Sequence, residues 1–169
     1  WQNRTLFFLE YQTLMSGGMA ELRDSGIMIQ LAHHAMLKMG INADEVWQRL
    51  GVTPEVLQDR NLRTPHDAQI IFWSVMEEVS GDPDIGIHLG ENMPVYKGQV
   101  LQYLFLSSPT FGEGLKRALS YQRLLSDASQ ASIEIDSHQA SVKVESASDK
   151  VTGLRHLNEC MVLGLVRFF

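Results

Sequence analysis

The stretch GDPDIGIHLG, from Gly81 to Gly90, concentrates glycines and aspartates as ion-binding and phosphate-binding loops do. A calcium loop needs oxygen donors at alternating positions, and apolar isoleucine and leucine side chains occupy much of this stretch instead. A phosphate loop of the Walker type ends in Gly-Lys-Ser or Gly-Lys-Thr, whereas Gly90 is followed by glutamate. We therefore predict that Gly81 ends one helix and that Asp82, followed by proline, caps the next.

A second candidate for chemistry is the pair His156 and Cys160. Residues four apart share one helix face, so the two side chains could act as a base and a thiol nucleophile. Apolar residues flank Cys160, which favours a small buried side chain over a reactive one. His33 and His34 are adjacent and would point about 100° apart on a helix. We expect no enzyme activity, no metal site and no cofactor.

The composition limits the classes of partner. The chain has 169 residues, with 14 Lys and Arg against 20 Asp and Glu, a net charge of -6 and a pI near 5.4. A phosphate backbone attracts positive proteins, so this chain alone is a poor ligand for nucleic acid. A single cysteine fits a reducing compartment, and no run approaches the ~20 apolar residues of a membrane span. We expect one soluble, cytoplasmic domain.

The first half of the chain has the spacing of amphipathic helices. Apolar residues repeat from Ile27 to a stop at Gly40, and a second helix runs from an Asn42 cap to Gly51. Thr53 and Pro54 open a third helix. By the same logic, Thr64 and Pro65 open a fourth, which Gly81 ends.

Residues 43–60 also resemble a helix-turn-helix motif, with a glycine between two predicted helices. The second helix carries the acids Glu55 and Asp59 where phosphates and base edges call for Arg, Lys, Asn or Gln. A helical corner explains the pattern without DNA contact.

The second half changes period. Thr110 caps a helix with Glu113 as its partner, and we expect Phe111 and Leu125 on its buried face with Gln122 among them. Gln122 is then a hydrogen-bonded core amide or a group that lines a polar cavity. Two alternating segments, Ile133 to Asp136 and Val142 to Glu145, predict a hairpin, and a last helix carries Leu157 and Phe168 on one side. The fold class is therefore α+β, with a helical first half followed by helices packed with a small antiparallel hairpin.

Residues 1–18 look joined to the rest, because they end in Ser-Gly-Gly before a charged segment. We interpret 1–18 as a native extension, a tag or a fused peptide, and 19–169 as the domain proper, cut near its C-terminal end. The first fifteen residues are amphipathic if helical, and a strand reading is nearly as good. A peptide of this kind docks through apolar anchors, here Phe7, Phe8, Tyr11 and Leu14.

The order of GDPDIGIHLG, then KGQVLQYLFLSSPTFGEGLKRALSYQRLLSD, then a strand pair, carries a resemblance. From Ile27 to Phe169 the chain resembles the N-terminal effector domain of AraC-type transcription regulators, in the arabinose-binding-type branch. The resemblance implies a bacterial regulator in which this domain senses a small molecule or forms a homodimer. A separate C-terminal domain with two helix-turn-helix motifs, absent from this sequence, would bind DNA.

If the domain is a sensor, we expect the effector in an apolar cleft between the helical half and the hairpin, oriented by a few polar groups. An arginine would matter for an effector that carries a carboxylate or phosphate. Our candidate ligand-binding residues are Trp73, Tyr96, Tyr103, Tyr121, Gln122 and Arg123. The alternative partner is a peptide or protein regulator, represented by residues 1–15.

Overall fold

The computed structural model describes residues 22–59, 61–93, 99–151 and 154–167. Within these ranges the chain forms eight α-helices and two antiparallel strand pairs, which confirms the predicted α+β class. The helices are α1 (Ile27–Met39), α2 (Ala43–Leu50), α3 (Pro54–Gln58), α4 (Gln69–Ser80), α5 (Ile85–Asn92), α6 (Val100–Leu106), α7 (Phe111–Ser120) and α8 (Arg155–Val166). The strands are β1 (Arg23–Ser25), β2 (Arg63–Pro65), β3 (Ser129–Ile135) and β4 (Ala140–Ser146).

Local sequence sets several of the helix ends. Helices α1, α2 and α4 end at glycines with left-handed backbone, at φ of 73°, 69° and 65° respectively, a conformation that costs glycine little. The Asn42 side chain accepts a hydrogen bond from the N–H of Glu45, and the Thr110 hydroxyl accepts one from the N–H of Glu113. These caps confirm the predicted starts of α2 and α7.

The fourth helix begins at Gln69, so the prediction that Thr64 and Pro65 open it is wrong. Thr64 is instead the central residue of β2 and pairs with Asp24 of β1, in antiparallel register. A short 3₁₀ turn, His66–Ala68, then leads into α4. The pairing joins segments 40 residues apart, so the local cap pattern could not reveal it.

Helix α5 begins at Ile85, so the prediction that Asp82 directly caps it is wrong. Asp82 accepts a hydrogen bond from the N–H of Asp84 at 2.9 Å and so forms the turn before the helix. Its other carboxylate oxygen lies 2.6 Å from Nδ1 of His88. This hydrogen bond raises the pKa of His88 and lowers the pKa of Asp82.

Helix α7 ends at Ser120, which leaves Gln122 and Leu125 beyond it rather than on its buried face. Phe111, also expected on that face, is 56% exposed. The helix ends before Gln122 because this residue lies in a 3₁₀ turn. Its side-chain amide forms hydrogen bonds with both the N–H and the carbonyl of Ala131. The turn is thereby fixed to β3, and the helix cannot continue through it.

The glycines of GDPDIGIHLG have a packing role. Gly86 and Gly90 lie one helical turn apart on α5 and face the backbone of α8. A Cβ at Gly86 would lie 2.5 Å from Cα and O of His156, and a Cβ at Gly90 would lie 3.0 Å from the same atoms of Cys160. Only glycine allows the two helices to approach this closely. The core extends from this contact into α1, α2 and α4.

The chain before α1 connects the helical half to the hairpin. Asp24 forms an isolated β-bridge with Ser126, just before β3. Around it, the N–H of Ser25 bonds the carbonyl of Leu125 at 2.6 Å, and the N–H of Asp127 bonds the carbonyl of Arg23 at 2.9 Å. The three residues of β1 therefore pair with β2 on one side and with the entry to the hairpin on the other.

Several sequence predictions lie outside the described residues: the anchors Phe7, Phe8, Tyr11 and Leu14, the candidate Tyr96, and Phe168 at the end of the last helix. Within the described ranges, no helix combines the length and the apolar character that crossing a bilayer requires.

Candidate effector site

A cavity lies at the junction of the helical half and the β3–β4 hairpin, where the sequence predicts an effector site. Its volume is about 170 Å³, close to that of an engineered apolar cavity of about 150 Å³ that admits benzene. Helices α1, α4, α7 and α8 contribute to its walls, and Ala131 and Val144 line it from the hairpin. These two residues are paired in register across β3 and β4.

Aromatic rings form one wall of the cavity. Trp47 stacks on Phe72 with a centroid distance of 6.1 Å, and Phe72 meets Trp73 edge to face at 5.1 Å. The two tryptophans are buried. The Nε1 of Trp73 has no hydrogen-bond partner among the described residues. The rest of the lining is mainly aliphatic, from residues such as Met28, Leu115 and Leu157, as is usual for small-molecule pockets.

The cavity has one polar end, formed by Asp24, Thr64, His66, Gln69, Ser126 and Ser129. Its centre is the buried carboxylate of Asp24, which three side chains contact. His66 Nδ1 lies 3.0 Å from both carboxylate oxygens, Gln69 Nε2 donates at 3.0 Å, and the Ser126 hydroxyl donates at 2.6 Å. A buried carboxylate is stable only with such partners, so the network fixes β1, α4 and the hairpin entry around the cavity.

His66 also reaches the hairpin. Its Nε2 lies 3.3 Å from the hydroxyl of Ser146, the last residue of β4. The neighbouring Asp67 receives hydrogen bonds from Ser148 and Lys150, both at 2.7 Å. Burial acts to raise the pKa of Asp67, but the two hydrogen bonds outweigh it and the pKa is lowered. Both ends of the hairpin are thus held by side chains that precede α4.

The candidate ligand-binding residues divide into two groups. Trp73 and Gln122 line the cavity. The Gln122 amide is also hydrogen-bonded to the backbone of Ala131, so it combines features of both roles that the sequence predicted for it. Tyr103 and Tyr121 are 66% and 52% exposed, and Arg123 is also exposed. None of these three lines the cavity. Tyr103 lies on the short helix α6, Tyr121 precedes the 3₁₀ turn and Arg123 lies within it. At these positions their side chains are exposed to solvent.

Asp24, His66 and Ser126 were not among the residues that the sequence predicted for the site. Asp24 falls in a charged segment that indicates an exposed loop, and His66 and Ser126 lie 42 and 102 residues away from it in sequence. The only local indication is that three hydrogen-bonding residues, Thr64, His66 and Gln69, cluster at the start of the predicted fourth helix.

The expectation that Cys160 is a buried packing residue is confirmed, since it is 5% exposed and lines the cavity. Burial raises the pKa of its thiol to about 12, which suppresses the thiolate that a nucleophile needs. His156 is occupied elsewhere, with Nε2 lying 3.0 Å from Glu77.

The adjacent histidines have separate structural partners. Nδ1 of His33 accepts a hydrogen bond from the indole of Trp47 at 2.9 Å, and Nδ1 of His34 lies 2.7 Å from the carbonyl of Gln30. Among the residues described here, no three His, Cys, Asp or Glu side chains are grouped for metal binding.

The comparisons with known proteins agree with this architecture. Residues 40–169 match the family model described as the arabinose-binding domain of AraC transcription regulators, N-terminal. The chain belongs to this family. The family is a regulatory, effector-binding domain of transcription regulators.

A curated relative is the ornithine utilization regulator of Pseudomonas aeruginosa, 30% identical over 105 residues. The alignment covers 62% of this chain but only 31% of the relative. The aligned part of the domain thus corresponds to about a third of that regulator.

Proposed function

We propose that this domain is the sensor of an AraC-type transcription regulator and that the cavity is its effector site. The observation that carries the proposal is the position of the cavity, lined on one side by helices and on the other by the hairpin residues Ala131 and Val144. An effector at this place contacts both parts of the domain at once. Binding would then favour one arrangement of the hairpin relative to the helices.

The polar end provides the coupling in this proposal. The Asp24 network holds β1, the start of α4 and the hairpin entry together. An effector that contacts it would shift the relative positions of these elements, and the shift would alter how an attached DNA-binding domain or a second protomer is presented. In this proposal the protein acts in the cytoplasm, and DNA is contacted through a separate domain.

The first test is thermal unfolding of the full chain in the presence of a panel of bacterial metabolites, which includes arabinose and ornithine because of the family and the relative. A ligand of the folded state raises Tm in a saturable way. Ala131→Phe should fill the cavity and abolish the rise. The matched control is Ala140→Phe, which changes an exposed residue at the far end of the hairpin and should leave the rise intact. A rise that survives Ala131→Phe would place the effector elsewhere.

A second candidate partner is the amphipathic segment 1–15. The observation in its favour is the outer face of α6, where Val100, Tyr103 and Leu106 are 51%, 66% and 66% exposed. Three apolar side chains at this spacing offer a surface for a docked peptide.

A double-mutant cycle in the full chain tests this second candidate. Phe7→Ala should lower the free energy of unfolding by about 1–2 kcal/mol, and the loss should disappear when Leu106→Ala is also present. Phe7→Ala with Val162→Ala, which truncates an exposed valine on α8, serves as the additive control. Additive losses in both cycles would reject the contact.

A further inference from the structure

The charges around the cavity restrict what it can hold. Among the described residues that line it there is no Lys, Arg or Glu, and Asp24 is the only acid. Asp24 already receives contacts from His66, Gln69 and Ser126, which occupy both of its oxygens. An ionised effector would lose its hydration on entry and find no free opposite charge, which costs several kcal/mol. The lining therefore disfavours carboxylates, phosphates and ammonium groups.

Three oxygens at the polar end remain available for hydrogen bonding. The hydroxyls of Thr64 and Ser129 and the Oε1 of Gln69 have no side-chain or backbone partner among the described residues. None of the three is sealed off as a buried unsatisfied atom. Each hydroxyl can donate or accept, and the amide oxygen accepts. A small neutral polar group on an effector could thus be hydrogen-bonded there without any charge.

We infer that the effector is an uncharged and largely apolar small molecule, of about the size of a substituted benzene ring, with one neutral hydrogen-bonding group. Its apolar body lies against Trp47, Phe72 and Trp73, and its polar group, a hydroxyl or an amide, lies at Thr64 and Ser129. This inference rests on the proposed function, because it assigns the ligand class of the same cavity. Arabinose and ornithine do not fit it, since one is polar on all sides and the other is charged.

Five compounds of nearly equal shape test the inference on the full chain: toluene, benzyl alcohol, benzamide, benzoate and benzylamine at neutral pH. Each is titrated to millimolar concentrations, and Tm is followed. We expect benzyl alcohol and benzamide to raise Tm most and toluene less. Benzoate and benzylamine, which are ionised, should bind at least about 10-fold more weakly than benzamide, because burial of an unpaired charge costs more than 1.4 kcal/mol.

Two variants locate the polar group. Thr64→Val keeps the β-branched shape but removes the hydroxyl, and should weaken benzyl alcohol or benzamide by about 3- to 10-fold with toluene unchanged. Ser129→Ala should also weaken the binding of benzyl alcohol or benzamide. This second variant keeps the test valid if Thr64→Val does not fold. The control is Ser132→Ala, which alters an exposed serine on the same strand and should change no affinity.

The outcomes separate the inference from the function. If benzoate or benzylamine binds as tightly as benzamide, or if none of the five compounds raises Tm, the inference is overturned. The proposed function then still stands if a metabolite from the panel raises Tm in the wild-type chain and not in Ala131→Phe. If no metabolite meets that criterion either, the function falls as well.

Discussion

Gly86 on α5 lies directly against the backbone of His156 on α8, so that any Cβ at position 86 would sit 2.5 Å from both Cα and O of His156. The two helices meet at backbone distance, in the middle of the core that carries one wall of the cavity. The glycines of this sequence, which resembles a loop in composition, therefore allow α5 to pack closely against α8.

Replacing Gly86 with alanine should destabilise the domain by about 1–3 kcal/mol, because the added methyl group meets backbone that cannot move aside. The measurement is urea unfolding followed by circular dichroism. Gly112→Ala is the matched control: it is also a helical glycine, but nothing lies within 4 Å of its would-be Cβ, and alanine there should be neutral or slightly stabilising. Equal effects at both positions would contradict the close approach.

Removing the carboxylate at the polar end should cost more than removing an exposed one. Asp24→Ala leaves His66, Gln69 and Ser126 without their shared acceptor, and we expect a loss of about 3 kcal/mol in the free energy of unfolding. Asp149→Ala changes an exposed aspartate and should stay within about 0.5 kcal/mol of the wild type. A small effect of Asp24→Ala would mean that the network does not fix β1 to the hairpin.

The thiol of Cys160 should react slowly with alkylating reagents at pH 8. Its pKa is raised from 9.0 to about 12 by burial, and it is the single cysteine of the chain, so the reaction reports on this position alone. Adding denaturant should restore the rate of a free cysteine. Fast labelling of the folded chain would contradict its burial.

The same shift makes stability depend on pH. The folded state holds the thiol proton up to about pH 12, whereas an unfolded cysteine loses it near pH 9. Unfolding therefore releases a proton in this window, and stability should fall as the pH rises from about 9 to 12. Cys160→Ala should flatten this part of the profile, measured as Tm against pH.

His88 should titrate above the usual range for histidine, because the hydrogen bond that it donates to Asp82 raises its pKa. The stabilisation from this pair is fully present below pH 6.5 and should disappear as the pH rises through the elevated pKa of the folded state. NMR titration of the imidazole in the wild type and in Asp82→Asn measures it. An unchanged midpoint in Asp82→Asn would show that the carboxylate is not the cause.

The sequence predicted features that depend on neighbours along the chain and missed those that depend on distant pairing. Gly40, Asn42 and Thr110 were identified correctly because a helix end is determined within about one turn. Thr64 was misassigned because its partner Asp24 lies 40 residues earlier.

The same distinction holds for the candidate site. The sequence predicted an apolar cleft between the helices and the hairpin, and the structure has a cavity at this position. Of the residues predicted for the site, Trp73 and Gln122 line the cavity, whereas Tyr103, Tyr121 and Arg123 lie outside the lining. The polar end was missed because a buried carboxylate and its partners leave no periodic pattern.

The position of β1 has a consequence for how such domains should be delimited. The family match starts at residue 40, yet Asp24 and the helix Ile27–Met39 lie before it and contribute lining to the cavity. A fragment cut at the edge of the match would lack Asp24 and the lining residues of α1, and apolar side chains that these cover would be open to water. The family match therefore leaves out the 17 residues from Arg23 to residue 39, which include β1 and the helix that lines the cavity.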